Sequence, residues 1–287
     1  MNRVVERMTW LRPENLQQAL TWLNEYHPRI VCGGTDIFVD WLRRKHEFTG
    51  VHWLDIRSLP ELKETAFTSE GLEIGAAVTA AEIWQRQEFQ AVSALQQAAR
   101  VVGGWQIQNR ASLGGNIANA SPAADMVIPL VAYAAEVKLV SVHGERWVSI
   151  TQFIQGPRQT LLRPEELITA IRIPNESLHH PSAFVRHDQR GATDISIVSA
   201  AVVFHGNADS IQWGRAAVGA AHPVPLSLPE VDARWAGPLT IEKVEEVASG
   251  YARSCRPISD VRASADYRRA MVKVFIRRAV QSLFPIR

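Results

Sequence analysis

The chain has 287 residues, 46% hydrophobic and 21% charged, with 15 Pro and 17 Gly; at roughly 100–200 residues per domain it can form two domains with sizeable cores. Lys plus Arg number 31 against 29 Asp plus Glu, a formal charge of +2, and so even a balance removes the electrostatic case for a dedicated nucleic-acid binder. The two cysteines, Cys32 and Cys255, are too few for a four-cysteine cluster or a disulfide framework.

Pro13 suits the first turn of a helix on which Leu16, Ala19, Leu20 and Leu23 form one apolar stripe, ended by Pro28. Ile30-Val31-Cys32 reads as a short buried strand. Gly33-Gly34-Thr35-Asp36 breaks the pattern before apolar residues from Ile37 to Leu42, and Val51 to Ile56 reads as a second strand. This is an α/β unit too small to stand alone. From about Leu62, two strand-like runs between Phe67 and Val78 flank a turn at Glu70-Gly71. Thr79-Ala80-Ala81-Glu82 fits a capping box, and a helix over Ala91 to Val102 ends at Gly103-Gly104. Residues 105–124 carry a single basic residue, Arg110, and no acidic one. Ser121-Pro122 is expected to cap a helix bearing Val127, Leu130 and Val131. The longest apolar stretch, Met126 to Ala135, is broken by Pro129 and falls short of the ~20 residues of a membrane helix. Strands follow at Val137–Val142, Arg146–Ser149 and Leu167–Ile173, the last stopped by Pro174.

The polar, proline-bracketed stretch from Pro174 to Pro181 reads as a domain boundary. Beyond it lie strand-like runs at Ser182–Arg186, Ile195–Phe204 and Ile211–Ala221. Two helices complete the chain, one carrying Val244, Val247, Ala248 and Tyr251, the other Tyr267, Met271, Val274 and Phe275. The opening MNRVVERMTW lacks the apolar core of a signal peptide, so a cytoplasmic location with no membrane span is expected.

Two glycine-rich loops carry the chemistry, Cys32-Gly33-Gly34-Thr35-Asp36 and Ser112-Leu113-Gly114-Gly115-Asn116. With no Cβ in the way, successive N–H groups in such a turn form a partly positive nest for phosphate oxygens. Two nests suit the two charges of a pyrophosphate. A single Gly-Gly pair reads more simply as a tight turn; two pairs with hydroxyl and amide neighbours leave both readings open. GxGxxG after a strand, GxxxxGK[ST], HExxH, paired CxxC and GxSxG are all missing, which sets aside Rossmann, P-loop, metallohydrolase and α/β-hydrolase chemistry.

The string from Ile107 to Asp125, IQNRASLGGNIANASPAAD, closely resembles the second FAD-binding motif of the flavin subunits of the xanthine dehydrogenase family, and VCGGTDI, Val31 to Ile37, resembles the first. Similarity continues through Gly156-Pro157, Leu161 to Pro174, Arg190 to Ile195, and Arg262-Ala263-Ser264 with Tyr267-Arg268. It covers nearly the whole chain in the family's order. The resemblance implies an α+β fold: a two-part FAD-binding domain of the p-cresol methylhydroxylase type over residues 1–176, split near 57–62, then a CO dehydrogenase flavoprotein-type domain of antiparallel sheet plus helices over 181–287. It also implies non-covalent FAD in an electron-transfer subunit. Electrons would arrive from the [2Fe–2S] clusters of a small partner subunit, after substrate oxidation at the molybdenum cofactor of a large partner subunit, and pass to NAD+. FAD suits that position because it accepts electrons singly and releases two as a hydride. The alternatives are a self-sufficient FAD-dependent oxidase or dehydrogenase on the same fold, and a non-catalytic assembly subunit.

Carried over residue by residue, the resemblance puts Ile30, Val31, Cys32, Gly33, Gly34, Thr35, Asp36 and Ile37 around the pyrophosphate, with Ser112, Gly114, Gly115 and Asn116 as the second loop. Val102 and Ile168 join the cofactor-binding set. Asp125 matches a cofactor-bonding carboxylate, its other reading being an acidic group favoured in the first turn of a helix. Arg186 lies where many members have a lysine that reaches FAD, and differs from it as a planar donor. No catalytic residue or metal ligand is assigned. Gln108 stands where many members have arginine, and Arg158 replaces the glycine that often follows Gly-Pro. Cys32 reads as a small apolar residue at a strand end. The seven Lys or Arg between Asp260 and Arg287 read as a solvated face, with a docking surface for an acidic partner as the sharper alternative.

Overall fold

A computed structural model describes residues 9–43, 51–191 and 193–285. The first eight residues, which carry most of the opening segment considered for a leader, lie outside the described residues, as do Ala192 and Arg287. Strands β1 (Thr9–Leu11), β2 (Arg29–Val31) and β3 (His52–Asp55) form a parallel sheet in the order β1-β3-β2, crossed over by α1 (Leu16–Tyr26) and α2 (Ile37–Arg43). β1 was not foreseen; its three residues are too few for a periodic signal. The stripe of α1 is as expected, with Ala19, Leu20 and Leu23 buried. Pro13, however, sits before the helix. Asn15 is the N-cap, accepting from the Gln18 amide at 2.9 Å, because a side-chain acceptor satisfies an end amide and proline offers none.

The second unit is a five-stranded antiparallel sheet in the order β4-β5-β10-β6-β7, built from β4 (Thr65–Phe67) and β5 (Gly71–Gly75) with later strands. α3 (Ala80–Gln85) opens on the foreseen capping box, with Thr79 N–H donating to Glu82 at 2.8 Å and Glu82 N–H to the Thr79 hydroxyl at 3.3 Å. α4 (Ser93–Arg100) ends near Gly103, which takes φ +53°. Next come α5 (Trp105–Gln108), α6 (Leu113–Ala118) and α7 (Val127–Ala132). Ser121-Pro122 does not cap α7: Ser121 closes a preceding turn, accepting from Ala124 N–H at its carbonyl and from Ala123 N–H at its hydroxyl. β6 (Glu136–Ser141) and β7 (Gly144–Ser149) form the expected hairpin. The short α8 (Ile150–Phe153) leads to a two-stranded ladder, β8 (Ile154–Gly156) with β9 (Gln159–Thr160), and β10 (Leu167–Pro174) returns to the centre of the sheet.

β11 (Ser182–His187), β12 (Val198–Asn207) and β13 (Ser210–Gly219) form an antiparallel sheet in sequence order, followed by α9 (Pro229–Asp232), α10 (Ile241–Ser254) and α11 (Ala265–Gln281). β12 is apolar on both faces because both are covered. Val198, Ala200, Val202 and Phe204 pack with residues of α10 and α11, while Ala201 and Val203 join the core of the second unit. The segment between Pro174 and Pro181 is packed rather than loose: Ser177 and Leu178 are buried, and Arg215 donates to the Ser177 hydroxyl at 2.9 Å and to Glu176 at 2.7 Å.

α10 buries Val244, Val247, Ala248 and Tyr251, as its period predicts. On α11 the buried face is shifted, comprising Arg268, Val272, Phe275, Ile276, Ala279 and Val280, with Tyr267 exposed. The cause is a buried cation that periodicity cannot anticipate. Arg268 donates to the carbonyls of Ile197 (2.6 Å) and Ala220 (3.1 Å) and to Asp260 (2.7 Å). The basic C-terminal segment is thus not one solvated face. Among the described residues, no helix is long and apolar enough to cross a membrane.

Candidate cofactor cleft

A cleft of about 420 Å³ lies between the small parallel sheet and the second unit, within the ~300–1,000 Å³ usual for small-ligand sites. Ile30 to Ile37 line one wall; Val102, Ser112, Gly114, Gly115, Asn116 and Ile168 line the other. Fourteen of the sixteen residues singled out from sequence therefore meet in one place.

The two glycine loops do different work. After β2, the amides of Gly33, Gly34, Thr35 and Asp36 donate to no acceptor among the described residues. Gly34 has φ +78°, and a Cβ on Gly33 would lie 2.1 Å from the Arg110 carbonyl oxygen. Only glycine lets this loop close on its neighbour. Arg110 donates through Nε and Nη2 to the Gly33 carbonyl, both at 3.3 Å, pinning the loop from the other wall.

The second glycine pair is not a nest. It is the first turn of α6, and its amides are spent: Leu113 N–H on Val78 O (2.9 Å), Gly114 N–H on Ala76 O (2.8 Å), Gly115 N–H on the Ser112 hydroxyl (3.3 Å) and Asn116 N–H on Ser112 O (2.9 Å). A Cβ on Gly114 would stand 2.7 Å from that of Ala76, so this glycine serves close packing. What the second motif leaves for a ligand is a side chain. Asn116 Oδ1 is buried with no hydrogen-bond partner among the described residues, and an unsatisfied buried acceptor is costly unless a ligand donates to it. Free amides on one wall and an unfilled acceptor on the other fit an anionic, hydrogen-bonding ligand such as a dinucleotide.

Cys32 is half-buried and packs beside the core of the first unit. Burial pushes its thiol pKa up, against a hydrogen bond to Ser112 that pulls it down. A raised pKa favours the neutral thiol over the thiolate. Gln108 is buried and satisfied at both ends, accepting from Trp84 Nε1 (3.1 Å) and donating to Arg100 O (2.8 Å). Sequence reasoning did not single out Asp40, Ala76, Asn119 or Leu162, which also line the cleft. Asp40 falls four residues after Asp36, one helical turn on, a spacing that could have flagged it; nothing local marks Ala76.

Asp125 and Arg186 do not line the cleft. They meet each other, with Arg186 Nη1 2.7 Å from Asp125 Oδ2, both side chains nearly buried. Arg186 Nη2 also pairs with Asp188 at 2.8 Å, and the Ser196 hydroxyl donates to Asp125 Oδ1 at 2.5 Å. Burial raises the Asp125 pKa, opposed by Ser196 and Arg186. This cluster bolts the turn leading into α7 to β11 and to the segment entering β12.

The family described as the FAD binding domain in molybdopterin dehydrogenase matches residues 6–176, and the CO dehydrogenase flavoprotein C-terminal domain matches residues 183–283. The chain is 30% identical over 278 residues to the glyceraldehyde dehydrogenase medium chain of Sulfolobus acidocaldarius, covering 96% of this chain and 98% of that one. It is 29% identical to a putative xanthine dehydrogenase FAD-binding subunit of Escherichia coli K12, covering 88% and 87% of the two chains. A solved carbon monoxide dehydrogenase from Hydrogenophaga pseudoflava, lacking the Mo-pyranopterin moiety of its cofactor, superposes with a TM-score of 0.89 at 25% identity over 98% of each chain. With two family domains in order and relatives matched end to end, the chain belongs to the FAD-binding medium subunits of the molybdenum hydroxylase (xanthine and carbon monoxide dehydrogenase) family.

Proposed function

We propose that this chain holds one non-covalent FAD in the cleft, receives electrons from the [2Fe–2S] clusters of a small partner subunit, and passes them to NAD+, while a large partner subunit oxidises the substrate at its molybdenum cofactor. The observation that carries this is the pairing of unengaged amides at residues 33–36 with the orphaned Asn116 Oδ1 across one cleft. The amides of the first loop bind the diphosphate; Asn116 accepts from the ligand; Val102, Leu162 and Ile168 give an apolar lining. Bound FAD supplies the conversion between single electrons and a hydride. In this reading Asp125 and Arg186 act on the cofactor's surroundings through their own ion pair, by holding the C-terminal sheet against α7. A cytoplasmic complex belongs to the same proposal, in keeping with two free thiols.

The test is an absorption spectrum of the chain purified with whatever accompanies it, followed by anaerobic NADH. About one FAD per chain, bleached by NADH, supports the whole proposal. FAD that NADH does not bleach removes NAD+ and leaves the cofactor. A protein that stays colourless with excess FAD removes the cofactor itself.

A further inference from the structure

Arg158 stands between β8 and β9 with φ +61°, a conformation that residues other than glycine adopt uncommonly. Its amide donates to Ala120 O at 3.0 Å, tying this turn to the end of α6. A glycine would make the same backbone bond without strain, so what arginine adds is its guanidinium. That group, 53% exposed, lies 3.8 Å from the Asp40 carboxylate through Nη1, the same nitrogen that donates to Asn119 Oδ1. Asp40 and Asn119 line the cleft from opposite walls, one on α2 and the other just past α6. The side chain therefore spans the cleft rim. It also sets a fixed positive charge beside Asp40, an acidic residue of the lining.

We propose that Arg158 is a latch on the cofactor cleft, a positioning residue that ties its two walls and offsets the charge of Asp40, so that a bound dinucleotide leaves slowly. The inference rests on the assignment of FAD to this cleft. Exposed ion pairs are weak, which sets the scale at about a three- to fivefold change in release rate, and the contribution should shrink as salt rises.

The experiment uses the full chain with its partner subunits, and follows FAD release by the recovery of flavin fluorescence on dilution. Thermal unfolding of the FAD-free protein is recorded alongside. Arg158→Gly should release FAD about three- to fivefold faster, with an apo melting temperature equal to or above that of the parent. Arg158→Lys should fall between, keeping charge but losing the planar fork. Equal release from Arg158→Gly and the parent overturns the latch, as does faster release that only accompanies a lower apo melting temperature. A parent protein that binds no FAD overturns the cofactor assignment, and the latch with it.

Discussion

The Gly33-Gly34 and Gly114-Gly115 pairs look equivalent in sequence, each beside a hydroxyl and within reach of an amide or carboxylate side chain. The first leaves four consecutive amides without acceptors among the described residues; the second has its amides taken by Ala76, Val78 and Ser112. The difference lies in what adjoins each pair. A strand end that turns away from its sheet leaves its donors unclaimed, whereas a helix start lying against a neighbouring strand end has donors that the neighbour and the N-cap consume. Glycine permits close approach in both cases, but the object approached differs. For Gly33 it is the Arg110 backbone on the opposite wall; for Gly114 it is Ala76, at its Cβ and its carbonyl.

Gly33→Ala should break this comparison most severely. Its Cβ would collide with backbone at 2.1 Å from Arg110 O, and backbone cannot rotate aside as a side-chain end can. We expect loss of stoichiometric FAD together with about 1–3 kcal/mol of stability, read by flavin content and urea unfolding. Retention of full FAD content would mean that the unengaged amides are not the diphosphate site.

Asn116→Leu separates ligand from fold. Removing an orphaned buried acceptor should leave the apo protein as stable or more so, while FAD affinity falls about tenfold for the lost hydrogen bond. Titration of the apo protein with FAD, beside a melt, checks both directions. Affinity and stability falling together would assign Asn116 to the fold. Ser112→Ala is smaller and opposite in kind: loss of the N-cap of α6 should cost about 1 kcal/mol of stability, with FAD affinity changed only in proportion, as the same two measurements would show.

The C-terminal domain offers a control remote from both loops. Burial raises the Asp232 pKa to about 7, against hydrogen bonds from Ala216 N–H, Tyr251 and Trp235. The one phenolic proton of Tyr251 serves two acceptors, Ala216 O at 2.7 Å and Asp232 Oδ2 at 3.0 Å, so it compensates a buried Asp232 charge only in part. The folded state then holds a proton that the unfolded chain releases near its ordinary carboxylate value. Stability from this site is full below that value and is lost as pH rises through about 7. Between about pH 5.5 and 6.5 the parent should lose up to ~1 kcal/mol relative to Asp232→Asn, in paired denaturant melts. Parallel pH profiles would show that Asp232 is ionised in the fold.

Much of this protein was legible from local pattern. The stripes of α1 and α10, the Thr79–Glu82 capping box and the β6–β7 hairpin are short-range features, set by residues within a few positions of one another. Eleven of the fourteen cleft residues came to notice through the two flavin motifs, each of which is contiguous in the chain. Less legible were features whose cause lies far along the chain. The face of α11 shifted because Arg268 finds carbonyls at Ile197 and Ala220; Asp125 pairs with Arg186, sixty-one residues on. Whether a glycine amide is free or spent was likewise invisible, since Ala76 and Val78 stand more than thirty residues before the amides they accept.

Local sequence therefore carried element type, family motif and the identity of the cleft walls, because propensity, capping and close approach depend on neighbouring residues. Which donors remain for a ligand, and which charges neutralise one another in the interior, depended on the packed arrangement. A buried polar group takes the nearest partner in space, and the order of residues along the chain does not specify that partner.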